Sequence, residues 1–245
     1  MTDLVVITDL DGTLLDHENY SFAGAAPALD LIRDLQIPLV IVTSKTRAEV
    51  SGLRARLNVP GPDIVENGSW SRDYGWICSA LEETAAESGI AVRGFHDMTP
   101  EEITEVSALP ADVAPLAAQR EHSEPFSVLD EARAPELLAA LEKKGLQWTR
   151  GGRFYHVFER GGKAAAVGEL LKQYPDSTSV GLGDAPNDIG FLQLVDYPAI
   201  VSSPRAAELI AAVPKAVVTR QPAPEGWSEA LLPLLRRLRP PAYRP

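Results

Sequence analysis

Apolar residues along this chain fall into two rhythms. Leu4–Ile7, Pro38–Val42 and Thr178–Gly183 are short, nearly unbroken apolar runs that end in hydroxyl or acidic residues. Runs of that length read as strands buried on both faces, the signature of a parallel sheet. Between them the spacing turns helical. Ala28, Leu31, Ile32 and Leu35 share one face of a helix over Ala25–Leu35, and Thr46–Leu57 reads as the next helix. A short strand over Asp63–Glu66 follows. From about Trp76 the alternation changes. A helix is expected over Leu81–Ser88, and strands over Arg93–Met98, Arg120–Leu129 and Trp148–Glu159. Helices over Thr99–Leu109, opened by Thr99-Pro100-Glu101-Glu102, and over Pro135–Lys144 separate those strands. The strand–helix rhythm resumes at Lys163. Pro198–Ser202 and Ala216–Thr219 read as closing strands, Glu225–Leu238 as a terminal helix, and the Pro-rich end as frayed. No internal repeat is visible. The pattern predicts an α/β protein whose parallel-sheet core comprises residues 1–81 and 161–245, with residues 82–160 inserted as a second α/β unit.

Composition narrows the class. With 245 residues and 45% apolar content, the chain can bury a good core as one large domain or two smaller ones. A formal net charge of −11 argues against nucleic acid or an anionic membrane as partner. A phosphate ligand stays compatible if positive charge is gathered locally. Cys78 is the single cysteine, so no intramolecular disulfide can form. No signal peptide or membrane-spanning run is visible, and a cytoplasmic protein, monomer or homodimer, is the simple expectation.

The chemistry concentrates where the first strand ends. Asp9 and Asp11 follow Leu4–Thr8, and Gly12 lets the backbone turn sharply away. Open α/β sheets hold ligands at the carboxyl ends of their strands. Two carboxylates crowded there repel unless a positive group intervenes, and a hard cation such as Mg²⁺ suits oxygen ligands. The plainer alternative is an acidic turn. Far downstream Asp184 closes another apolar strand, and Pro186 then opens a helix whose first turn carries Asp188. If the two strands are neighbours, Asp9, Asp11 and Asp184 converge on one cation. Asp188 either joins them or complements the helix dipole.

Asp9-Leu10-Asp11-Gly12-Thr13 and Gly183-Asp184-Ala185-Pro186-Asn187-Asp188 resemble the first and last motifs of the haloacid dehalogenase superfamily of phosphotransferases. The two intervening motifs are matched in order by Thr43, closing the second strand, and by Gly161-Gly162-Lys163-Ala164. The resemblance spans nearly the whole chain and implies a Rossmann-like core with an inserted α/β cap that selects the leaving group. It implies Mg²⁺ as cofactor, held by Asp9, the Asp11 backbone carbonyl and Asp184, with Asp188 and Asn187 beside or around the metal. Asp9 would then be a nucleophile forming a transient aspartyl-phosphate. Asp11 would be the acid and base for the leaving alcohol and attacking water. Thr43 would bond a phosphoryl oxygen, and Lys163 would supply positive charge to the phosphate and Asp9.

Three further segments, Ser44-Lys45-Thr46-Arg47, Ser123-Glu124-Pro125-Phe126 and Gly151-Gly152-Arg153-Phe154, resemble mannosyl-3-phosphoglycerate phosphatases, as does Gly94-Phe95-His96-Asp97-Met98. That resemblance implies a phosphorylated sugar–glycerate substrate and a product that is a compatible solute. Some relatives accept the glucosyl analogue. Arg153 would then fork onto the glycerate carboxylate. Glu121, Ser123 and His156 would bond sugar hydroxyls, while Ser44, Lys45, Arg47 and Asn187 would line the phosphate mouth. Alternatives stand beside each role. Glu121 and Glu124 can form a solvated face, Phe154 and Phe158 can be cap core, His156 can be structural, and Arg47 can pair with Glu49 or Glu66. A broader hexose- or sucrose-phosphate phosphatase, a phosphotransferase or mutase, and a noncatalytic phosphoacceptor remain the competing functions.

Overall fold

A computed structural model describes residues 3–238; the Pro-rich end after them lies outside the described residues. The first part of the chain alternates β1 (Leu4–Thr8), α1 (Ala26–Asp34), β2 (Leu39–Val42), α2 (Arg47–Leu57) and β3 (Asp63–Ile64). The second unit follows with α3 (Tyr74–Ser88), β4 (Val92–Gly94), α4 (Pro100–Ser107), α5 (Ala114–Ala117), β5 (Ser123–Val128), α6 (Ala134–Lys143), β6 (Gln147–Arg150) and β7 (Tyr155–Phe158). The core then resumes with α7 (Lys163–Leu171), β8 (Thr178–Gly183), α8 (Ile189–Leu192), β9 (Tyr197–Ile200), α9 (Ala206–Ala212), β10 (Val217–Val218) and α10 (Glu225–Leu238).

Six parallel strands in the order β10-β9-β8-β1-β2-β3 form the core sheet. β1 sits at its centre between β2 and β8, with Thr8 level with Leu182. All five β1 residues are buried, as its unbroken apolar run predicts. Their side chains divide between two apolar layers. Leu4 and Val6 face α1, α2 and Trp227 of α10, while Val5 and Ile7 face α7, α8 and α9. Each buried aliphatic side chain contributes about 1.5–3 kcal/mol to holding this three-layer sandwich. Since β1 and β8 are hydrogen-bonded neighbours, their carboxyl ends, and the acids that follow, emerge side by side.

The inserted cap is a four-stranded antiparallel sheet in the order β4-β5-β7-β6, backed by α3 and α6 through Ile77, Leu81, Phe126, Leu137 and Leu141. Three expectations change here. The helix expected from Leu81 begins at Tyr74, because Asp73 caps it by accepting from the Trp76 N–H at 3.1 Å. Ile77 and Ala80 join the cap's apolar cluster. The expected boundary between residues 81 and 82 therefore falls inside α3. The single strand expected over Trp148–Glu159 is a hairpin, β6 and β7, because Gly151-Gly152 turns the chain back. Arg93–Met98 keeps only β4 as strand, and a helical turn over Phe95–Asp97 sends Phe95 and Met98 into a small cluster with Ile103 and Leu109. The chain passes between the units at Trp70 and Arg160, whose backbones exchange hydrogen bonds of 2.7 and 3.1 Å. Among the described residues no helix is long and apolar enough to cross a membrane.

Candidate active site

The site is built from strand ends. Asp9 follows β1, and its N–H donates to the Leu182 carbonyl of β8 at 3.0 Å. Asp184 follows β8. Gly12 has a φ of +81°, and a Cβ there would come within 2.5 Å of an Asp184 carboxylate oxygen. Glycine thus serves the turn twice, by its left-handed backbone and by the space it leaves for that acid. Thr13 Oγ1 donates to Asp184 Oδ1 at 2.8 Å. Asp188 lies in a helical turn, Pro186–Asp188, that precedes α8. Its Oδ2 accepts from the N–H groups of Asp184 and Ala185, each at 3.0 Å.

Lys163 opens α7, a placement the helix dipole disfavours. It is held there by two carboxylates, with Nζ 2.6 Å from Asp9 Oδ1 and 2.7 Å from Asp188 Oδ1. All three side chains are buried. An unpaired buried charge costs several kcal/mol, so this triad survives only because the charges face one another. The balance is unequal. Asp9, Asp184 and Asp188 bring ligand atoms within 4.8 Å of one another, against one ammonium. Burial raises the Asp9 carboxyl to about 7, with the Asp188 charge adding to the rise and Lys163 opposing it. Burial and then the Asp9 charge raise Asp184 well above the usual carboxylate range. Lys163 is raised by its two acids against the opposing effect of burial.

An all-oxygen cluster with this excess of negative charge fits a hard divalent cation. Asp9 and Asp184 are the carboxylates with capacity for it. Both oxygens of Asp188 are already engaged, Oδ1 by Lys163 and Oδ2 by backbone, so this acid is better suited to fixing Lys163 than to ligation.

Around the cluster a cavity of about 90 Å³ lies between core and cap, lined among others by Asp9, Asp11, Lys45, Arg120, Arg153 and His156. Ser44 and Asn187 line it too. Thr43 is buried at the end of β2, its Oγ1 accepting from the Lys45 N–H at 3.2 Å. Lys45 Nζ stands 3.0 Å from Asp11 Oδ2 and 3.4 Å from Glu49 Oε1, over the Tyr20 ring. Arg153 reaches from the β6–β7 turn to the His17 carbonyl at 2.9 Å and the Tyr20 hydroxyl at 3.3 Å. His156 is buried with Nδ1 unpartnered, and desolvation, then Arg120 and Lys163, hold its pKa well below the usual value. Asn187 Nδ2 donates to Asn67 Oδ1 at 3.3 Å.

Four expected rim residues have other surroundings. Ser123 is fully buried and donates through N–H and Oγ to Glu66 Oε2. Glu121 is exposed and meets Glu66 through its own N–H. Neither lines the cavity. Glu66, at the end of β3, captures this stretch of cap backbone because its carboxylate faces three consecutive N–H groups. Glu124 is no solvated face; it is fully buried between Tyr74 and His96. Arg47 stands exposed in the first turn of α2, while Glu49 is taken by the Thr46 N–H and Lys45, and Glu66 by the cap. Phe158 is cap core, as expected, while Phe154 packs edge-on to Phe95 and also borders the cavity. The roles of Thr13, Tyr20, Glu66 and Arg120 escaped the sequence reading. Of these only Thr13, inside the first motif, carried a local signal.

The chain matches the sucrose-6F-phosphate phosphohydrolase family over residues 2–223. It is 36% identical to a glucosyl-3-phosphoglycerate/mannosyl-3-phosphoglycerate phosphatase of Persephonella marina, across 96% of this chain and 98% of that one. It is 31% identical to a protein of the same description from Methanococcoides burtonii, across 94% and 97%. Its fold is shared with a phosphatase of the haloalkanoate dehalogenase superfamily from Bacteroides thetaiotaomicron, with a TM-score of 0.66, 22% identity, and coverage of 96% and 95%.

Proposed function

The chain belongs to the sucrose-6F-phosphate phosphohydrolase family, as a phosphoric monoester hydrolase of the haloacid dehalogenase superfamily, and we propose that it hydrolyses mannosyl-3-phosphoglycerate, and its glucosyl analogue, to the glycosylglycerate and phosphate. The observation that carries the chemistry is Lys163 bridging Asp9 and Asp188 beside Asp184. It leaves the second oxygen of Asp9 free to attack phosphorus, while the ammonium draws the phosphoryl group in. Asp9 and Asp184 would hold Mg²⁺, whose charge would let a carboxylate approach a phosphate dianion.

In this reading Asp9 attacks phosphorus and the ester oxygen leaves, taking a proton from Asp11. Water then cleaves the aspartyl-phosphate, with Asp11 as base. Lys45, 3.0 Å from Asp11, turns to the substrate's anionic groups when it binds. Thr43 bonds a phosphoryl oxygen. Residues from about 71 to 160 act as the cap, closing over the site from the joint at Trp70 and Arg160. The substrate would sit in the cavity between cap and core.

The substrate class is supported by the two full-length relatives and by three cations at the cavity, Lys45, Arg120 and Arg153, on a chain of net charge −11. They suit a ligand carrying both a phosphate and a carboxylate. The test is a phosphate-release screen over mannosyl-3-phosphoglycerate, glucosyl-3-phosphoglycerate, sucrose 6-phosphate and common hexose phosphates. The two phosphoglycerates should give the highest kcat/KM. A preference for sucrose 6-phosphate or a hexose phosphate would overturn the substrate assignment and leave the phosphatase chemistry standing.

A further inference from the structure

The cap holds a second cluster of ligand-type side chains, and none of them lines the catalytic cavity. Cys78 and Tyr74 lie on α3, His96 in the turn after β4, and Glu124 on β5. Cys78 Sγ, a His96 ring nitrogen and a Glu124 carboxylate oxygen all lie within 4.8 Å of one another. His96 Nδ1 is 2.8 Å from Glu124 Oε1, and its Nε2 is 2.8 Å from Glu82 Oε1 and 3.3 Å from Asp97 Oδ1. Tyr74 donates its hydroxyl to the other Glu124 oxygen.

We propose that the cap carries a binding site for a thiophilic divalent metal ion, Zn²⁺ by its donor set, made by Cys78 Sγ, His96 Nδ1 and a Glu124 carboxylate oxygen. Two features favour a metal over a plain ion pair. An ion pair of His96 with Glu124 does not involve the thiol, yet Cys78, hydrogen-bonded to Tyr74, is buried with its sulfur within ligand distance of both. The ring is also oriented as metal-bound histidines are, with the second nitrogen on a carboxylate, here Glu82. One sulfur, one imidazole and one carboxylate suit Zn²⁺ and exclude Mg²⁺ as the preferred occupant. The fourth position falls to water, which can enter past His96, flanked by the solvent-exposed Glu82 and Asp97.

Binding displaces two protons to solvent, one from the thiol and one from Nδ1. Without an ion the thiol stays protonated, since burial and the Glu124 charge push Cys78 up to about 12. The Nδ1–Oε1 distance must widen from 2.8 Å to about 3.3 Å, the edge of a tetrahedron with bonds of roughly 2.0–2.1 Å. A bound ion ties α3, the β4 turn and β5 into one unit. That would stiffen the cap without touching the phosphoryl chemistry.

The experiment uses the full chain, reduced and stripped with EDTA, titrated with Co²⁺ as the optical probe and then with Zn²⁺. One equivalent of Co²⁺ should raise a sulfur-to-cobalt charge-transfer band that Zn²⁺ bleaches. The band should vanish in Cys78→Ser and in His96→Gln, and persist in Asp184→Asn, whose lesion is in the core cluster. Glu82→Gln should keep the band while weakening Zn²⁺ about 10–100-fold, the usual effect of removing an outer-shell partner. Absence of the band in the reduced wild type, or its survival in His96→Gln, overturns the proposal. Should Cys78→Ser fold poorly, alkylation of Cys78 in the wild type decides: Zn²⁺ should slow it, and an unchanged rate refutes the site. None of these readouts depends on which phosphate ester the enzyme hydrolyses.

Discussion

The two walls of the catalytic cavity are built on opposite plans. On the core side, hydrogen bonds fix the acids in place. Asp188, in the turn before α8, has both oxygens engaged, while Asp184, held by Thr13, and Asp9, held by Lys163, follow the ends of buried strands. On the rim, the cations hold exchangeable partners. Arg153 and Arg120 of the cap reach across the seam to the core, to the His17 carbonyl and, at 3.0 Å, the Ser44 carbonyl, while Lys45 takes Asp11 within the core. A substrate bearing phosphate and carboxylate can replace those partners one for one. The difference teaches that the core is preorganised for a reaction, whereas the rim is provisionally satisfied. Substitutions in the core should therefore damage every substrate, and substitutions on the rim should discriminate among them.

The largest effect should come from Asp9→Asn, which keeps the shape and removes the nucleophile. We expect turnover to fall by at least about 10⁴-fold on any phosphate ester, measured by phosphate release. Asp11→Asn should lose about 10²–10⁴-fold on sugar substrates, where the leaving alcohol needs a proton. Near wild-type rates in either purified variant would break the contrast at its core side. Next comes the metal. EDTA should stop activity and Mg²⁺ should restore it. The Mg²⁺ concentration for half activity should rise most in Asp184→Ala, and by about 10–100-fold in Asp188→Ala, which acts through Lys163 and backbone. A larger rise for Asp188→Ala would make Asp188 the ligand and reverse the assignment.

The same contrast marks what could be read from sequence. The core was legible because strand burial, motif order and helix entry all point to one topology: β1 and β8 end where their apolar runs end, and Asp9 and Asp184 meet. The cap was legible as α/β but blurred in detail. A Gly-Gly turn made a hairpin of one expected strand, and Asp73 started α3 early. The four-residue α5 is short enough to leave little periodicity, as is the seven-residue α9 in the core. Individual rim residues were the hardest. Ser123 and Glu121 look like sugar ligands in a polar stretch, but their backbone N–H groups and the Ser123 hydroxyl serve Glu66, more than fifty residues away in sequence. No spacing rule encodes such a long-range capture. Arg153 and Lys45, which line the cavity, stand out in the sequence because unusual residues flank them in short segments.

Arg153→Ala is the sharpest test of the rim. The side chain gives hydrogen bonds to a carbonyl and a hydroxyl, and no carboxylate pairs with it among the described residues, so its charge is available to a ligand. Loss of a charge-assisted hydrogen bond is worth about 1.5–3 kcal/mol, or about ten- to hundredfold in kcat/KM for mannosyl-3-phosphoglycerate. A small aryl phosphate, with no carboxylate to lose, should be hydrolysed at nearly the wild-type rate. Equal losses on both substrates would assign Arg153 to the fold or the phosphate; no loss on either would remove it from recognition.

The smallest effect concerns His156, the rim side chain whose buried nitrogen has no partner. Its folded pKa lies well below the ordinary value of 6.5, because burial and then the charges of Arg120 and Lys163 disfavour the imidazolium. Below about pH 6.5 the unfolded chain therefore binds a proton that the folded chain refuses, and stability falls as pH drops from there. One such group can account for at most about 1.4 kcal/mol per pH unit. Asp9 and Asp184, raised rather than lowered, act in the opposite sense over acidic pH, so the wild-type profile alone mixes the two. The difference between wild type and His156→Gln isolates the histidine. Melting temperatures of the two should diverge progressively as pH falls below 6.5, with the variant losing less. Parallel profiles would mean that His156 is protonated in the folded protein, and that the rim already contains an anionic partner for it.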